Sequence, residues 1–195
     1  MSAFSILIII VATLLLSALF SGMEIAYISA NRLRMELNTK RYRLSAPIVS
    51  FLLKHPSQYI STMLIGNNIA LVIYGIVMEL ALTPWLHLWT ENNLLLLLLQ
   101  TVISTVIILF VAEFLPKVIF SQNANTFLRI FSIPIFLFYW LFFPVALFVI
   151  GFSNLILRLF GIKPQNNTRL TFGKIDLDYL VNEYNETEAE NDKTI

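Results

Sequence analysis

The run AFSILIIIVATLLLSALFSGMEIAYI at residues 3–28 is apolar for longer than a bilayer is thick. At about 1.5 Å of rise per residue it exceeds the ~30 Å hydrocarbon core. No Lys or Arg precedes it, and it is too long for the apolar stretch of a secretory signal, so it is expected to stay attached as a first transmembrane helix. Polar residues nevertheless interrupt it at Ser17, at Ser21-Gly22 and at Glu24.

Three more apolar stretches follow, at about 59–86, 94–120 and 127–160. With 57% apolar residues and 13% charged, about half the charged share of a soluble domain, the chain reads as an all-α integral membrane protein. Its net charge of +1 hides basic residues gathered at segment ends and acidic ones gathered in the last twenty positions, so it says little about partners, and no nucleic-acid partner is expected. The absence of cysteine excludes disulfides and thiolate chemistry.

Charge flanks set the expected topology. Arg32, Arg34, Lys40, Arg41, Arg43 and Lys54 mark the connection after the first stretch as cytoplasmic, whereas the loop from His87 to Asn93 carries Glu91 and no Lys or Arg. The N-terminus is then outside and the third stretch returns to Lys117 and Arg129 inside. If the fourth stretch also crossed, Arg158, Lys163, Arg169 and Lys174 would lie outside, and Pro134 and Pro144 would each interrupt its hydrogen-bond ladder. Three transmembrane helices, the first kinked at Ser21-Gly22, plus a broken juxtamembrane belt therefore fit better than four spans. Residues 38–58 read as a short surface helix lying on anionic lipid. From Asp176 the chain turns acidic, as a cytosolic helix and tail would. The expected organisation is a membrane domain over 1–170 and an acidic cytosolic segment over 171–195 that leads to a regulatory domain outside this chain. An inner-membrane location with a cytoplasmic C-terminus follows.

Three polar clusters lie within the apolar segments. Ser17 and Ser21, four residues apart, share one helix face, and Gly22 can loosen the helix behind them. The plainer reading has each serine bonded to the carbonyl four residues back. Glu24 is either part of the same chemistry or a solvated, cap-like carboxylate. Asn67 and Asn68 follow Gly66 and cannot both face one neighbour; interhelical hydrogen bonding, on the order of 0.6 kcal/mol, competes there with ion binding. Glu113 is the strongest item, because a carboxylate at helix centre costs about 2.5–3.5 kcal/mol on insertion scales. Pro116, three residues on, removes the amide donor of the Ala112 carbonyl. Hydroxyls, amide oxygens, carbonyls and one carboxylate make an all-oxygen set suited to Mg²⁺, Ca²⁺ or Na⁺. His55 and His87 fall at membrane edges and take no part.

On four ordered motifs the chain resembles the transmembrane domain of the CorC and cyclin M family of magnesium transporters. They are Ser17-Ala18-Leu19-Phe20-Ser21-Gly22-Met23-Glu24-Ile25-Ala26, then Ser29-Ala30-Asn31-Arg32-Leu33-Arg34, then Leu64-Ile65-Gly66-Asn67-Asn68, and Glu113-Phe114-Leu115-Pro116-Lys117. The resemblance implies a homodimer of three-helix subunits in the bilayer, with a juxtamembrane belt and an acidic helix leading to cytosolic nucleotide-binding repeats. It also implies Mg²⁺ transport, commonly efflux exchanged against Na⁺, with Ser17, Ser21, Asn67 and Glu113 as cation ligands and Asn68 and the Ala112 carbonyl as contributors. Family members often carry Gly where Ala112 stands, and a further Asn where this chain has Leu71. The opposed reading is a non-transporting scaffold or Mg²⁺ sensor. An intramembrane enzyme is not expected, since the chain has no zinc-protease His-Glu motif, no catalytic Ser-His pair and no paired intramembrane Asp.

Overall fold

The computed structural model describes residues 2–31 and 45–161, which belong to one compact unit. All of its regular structure among these residues is helical. Helix α1 (Ala3–Ser29) starts where the Ser2 hydroxyl accepts the Ser5 amide at 3.2 Å, and it ends where Ala30 turns extended. Its continuation is clamped from another helix: the Asn31 amide donates to Asn125 Oδ1 at 3.0 Å. Helix α2 (Ser45–Lys54) leads into α3 (Pro56–Leu86), whose first position is a proline, the residue that gives up no needed amide there. Helix α4 (Asn93–Ile107) is capped by Asn92 Oδ1 on the Leu94 amide at 3.0 Å. It passes into a π-helical segment (Ile108–Phe114) and then into α5 (Leu115–Gln122), α6 (Ala124–Ile130) and α7 (Ser132–Leu159).

The first three apolar runs thus become α1, α3 and the composite α4–π–α5, close to the bounds expected. The fourth does not break where its prolines suggested. Pro134 falls in the first turn of α7, where an amide is not required, and Pro144 sits inside an unbroken helix. The breaks fall instead at Asn123 and Phe131, on either side of α6. Four helical runs are long and apolar enough to cross a bilayer, α7 among them. The segment expected to lie on lipid is α2, and it enters the core: Val49, Leu52 and Leu53 are buried. The expected acidic helix and most of the basic connection after α1 lie outside the described residues.

The core gathers at one end of the bundle. Tyr27 of α1 stacks on Tyr59 of α3 at 4.3 Å between ring centroids. The Tyr59 hydroxyl donates to the Met23 carbonyl at 3.1 Å, and the Tyr139 hydroxyl of α7 donates to Gln58 Oε1 at 2.6 Å. Burying Tyr in hydrocarbon requires such a partner for each hydroxyl. Elsewhere the helices turn Leu7, Leu15, Val72, Leu97 and Val106 outward, as lipid-facing surfaces do.

The contacts also fix helix directions. Pairs Ser17–Asn67 and Met23–Tyr59 run α1 antiparallel to α3, and Thr83–Gln100 and Tyr74–Ser104 run α3 antiparallel to α4. So α1 and the α4–π–α5 run are parallel.

Candidate cation site

Along α1, Thr13, Ser17 and Ser21 recur every fourth residue on one buried face. Their hydroxyls meet three different fates. The Thr13 hydroxyl donates to the Ile9 carbonyl of its own helix at 2.8 Å, which is the plain reading for a membrane serine or threonine. The Ser17 hydroxyl instead crosses to α3 and donates to Asn67 Oδ1 at 2.6 Å. The Ser21 hydroxyl, 1% exposed, has no partner among the described residues. An orphaned buried hydroxyl forfeits about 1–3 kcal/mol, so it marks a position where a polar ligand is expected.

Helix α3 settles the choice between the two adjacent amides. Asn67 faces α1, while Asn68 is exposed and turns its Nδ2 back onto the Leu64 carbonyl at 2.9 Å. Asn68 is therefore not brought to the other candidates. Gly66, just before Asn67, seats the Phe20 ring: a Cβ there would stand 2.7 Å from it. Gly22, just after Ser21, seats the Phe120 ring of α5 at the same 2.7 Å. Helix α1 runs on as one helix through Ser21-Gly22, so what Gly22 supplies is room for a ring.

The third element comes from the π segment. The Leu115 amide donates to the Phe110 carbonyl, five residues back, rather than to Val111, and Pro116 has no amide for Ala112. Two successive carbonyls, Val111 and Ala112, thus lose their α-helical donors, where sequence gave reason to expect one. Ala112 is fully buried and Glu113, half-buried, follows it. Counting inward along α3 and α4 from the Thr83–Gln100 and Tyr74–Ser104 contacts brings Asn67 level with the stretch from Val111 to Pro116. Counting outward along α1 and α5 from the Gly22–Phe120 contact brings Ser17 level with Leu115. Helix α1 packs directly against the π segment. Ser17 and Asn67 therefore stand level with the stretch that carries Ala112 and Glu113, and Ser21 lies one turn of α1 beyond them.

That layer and the turn of α1 next to it offer neutral oxygens near one carboxylate. With its proton given to Asn67, Ser17 presents lone pairs; Asn67 Oδ1 keeps one free; Ser21 is uncommitted. No cluster of three or more His, Asp or Glu occurs among the described residues. The donor set fits a hard cation and not zinc or copper. Sequence reading missed Phe20 and Phe120, whose signal lay in the two glycines beside the motifs. It also missed Gln100, which donates through Nε2 to Thr83 Oγ1 at 2.7 Å and ties the loop end of the α3–α4 hairpin.

Over residues 8–193 the chain matches the family model described as the Cyclin M transmembrane N-terminal domain. It is 28% identical over 188 residues to the UPF0053 protein YrkA of Bacillus subtilis, covering 91% of this chain and 43% of that protein. It is 29% identical over 189 residues to the UPF0053 protein MG146 of Mycoplasma genitalium, covering 93% and 41%. The UPF0053 inner membrane protein YfjD of Escherichia coli is 27% identical over 168 residues, covering 86% and 38%. The chain spans less than half the length of the curated relatives it matches.

Proposed function

The chain belongs to the cyclin M transmembrane N-terminal domain family, and on that footing we propose that it carries Mg²⁺ across the membrane past Ser17, Ser21, Asn67, Ala112 and Glu113. The observation that carries this reading is the unpartnered, fully buried Ser21 hydroxyl one turn from a layer that holds a carboxylate and two carbonyls without their α-helical donors. Packing alone gives no reason to keep such groups in hydrocarbon; a cation does. Glu113 supplies the only full charge of the set. The hydroxyls, the Asn67 oxygen and the Ala112 carbonyl replace waters that Mg²⁺ releases reluctantly, so binding stays weak enough for release. Efflux in exchange for Na⁺ is the direction proposed.

The scaffold reading draws on one contact, the Ser17–Asn67 hydrogen bond, which is ordinary helix glue. It leaves Ser21 and Glu113 without a purpose. In the proposed topology the N-terminus is outside and α1, α3 and α4–π–α5 are the three spans. Helix α7 lies along the inner membrane surface as the belt. Support comes from its basic flank and from its packing, since beyond Ala146 no residue of α7 is buried, and Phe148 and Phe152 are exposed. The working unit is proposed to be a homodimer, with a cytosolic nucleotide-binding regulatory domain in the longer protein.

Calorimetric titration of the purified chain with Mg²⁺ tests the assignment. Wild type should bind, and Glu113→Gln should fold but lose the tight step, because an amide oxygen can ligate but cannot balance charge. Equal binding by both forms would remove Glu113 from the site.

A further inference from the structure

We infer that Glu24 holds a hard, partly hydrated cation on the cytoplasmic side of the Glu113 layer, as a second and weaker site sharing the Ser21 hydroxyl. The inference rests on the proposed transport reading and adds a station to it. Glu24 stands seven residues after Ser17 and three after Ser21. On a helix of 3.6 residues per turn this returns it to the face carrying both serines, roughly 10 Å further along the axis. Because α1 continues to Ser29, Glu24 is not a cap; it is a half-buried residue inside the helix. It stands more than one turn before the end of α1, and the last turn carries no basic residue. Glu24 makes no ion pair or hydrogen bond among the described residues, and the nearby Tyr59 hydroxyl is committed to the Met23 carbonyl.

Among the described residues that carboxylate has no countercharge, and the hydroxyl next to it on the same face has no partner. A cation between Glu24 and Ser21 answers both. Its partial exposure suits an ion that keeps some of its waters, as Mg²⁺ does. Ser21 then faces two stations, the inner one at Glu24 and the deeper one at Glu113, and an ion passing between them exchanges one carboxylate for the other without leaving that hydroxyl.

The test is Mg²⁺ titration of the full chain in detergent, using Mg²⁺ alone as the probe, for wild type, Glu24→Gln, Glu24→Asp and Glu113→Gln. Wild type should show two steps per chain. Glu24→Gln should weaken the weaker step by about tenfold or more, the loss of one full charge beside the ion, while moving the tighter step by less than about threefold. Glu24→Asp should retain both steps, which separates charge from folding. A Glu24→Gln isotherm that superimposes on wild type would overturn the inference, and so would loss of the tighter step in that variant, since the two stations would then be one. Failure of the Glu113 reading shows differently, as an unchanged tighter step in Glu113→Gln.

Discussion

Replacing Gly66 with alanine puts a methyl carbon 2.7 Å from the Phe20 ring, closer than carbon atoms approach, so the ring must shift. It has little room to do so. Phe20 is 2% exposed and meets Phe138 edge-on at 5.0 Å and Phe142 at 6.2 Å between centroids. Overpacking of this kind costs about 1–3 kcal/mol, against a gain of up to about 1 kcal/mol from alanine's better helix propensity. Gly75 lies in the same helix with nothing near its missing Cβ, so Gly75→Ala should collect the gain alone. The difference between the two variants isolates the clash at about 1–3 kcal/mol. For a chain of this size that is roughly 2–12 °C between their melting temperatures, read by thermal unfolding in detergent. In a Phe20→Leu background the difference should shrink, because the smaller side chain yields. Equal melting temperatures for Gly66→Ala and Gly75→Ala would refute the idea that Gly66 is there to seat the ring.

The two serines should separate. Ser21→Ala removes an orphan hydroxyl and should leave thermal stability unchanged or raised while weakening Mg²⁺ binding, whereas Ser17→Ala breaks the bond to Asn67 and should cost on the order of 0.6 kcal/mol; a Ser21→Ala protein that is destabilised without loss of binding would return Ser21 to a packing role. A cysteine placed at Asn92 should react with an impermeant thiol reagent added to intact cells and one placed at Phe160 should not; labelling at both would make α7 a fourth span.

The membrane class and the limits of α1, α3 and α4–π–α5 were legible because apolar length is a one-dimensional property of the chain. The site was legible in part. That one of Asn67 and Asn68 must face away follows from the 100° turn between neighbours, but which one depends on helix rotation, set by the Phe20–Gly66 contact and not by the motif. The π register leaves no compositional mark: Pro116 announces one free carbonyl, and the second appears only because the Leu115 amide reaches back five residues. Pro144 misled for a related reason. A proline breaks a helix only when the freed carbonyl finds no alternative, and nothing local to the sequence says whether it will.

Magnesium flux from proteoliposomes containing the purified chain, measured with and without an opposing Na⁺ gradient, tests the central claim most directly. Wild type should move Mg²⁺, faster when Na⁺ is supplied on the opposite side, and Glu113→Gln in equal amount should fall to the level of empty vesicles. Flux that is absent from wild type, or that survives Glu113→Gln, would contradict the account.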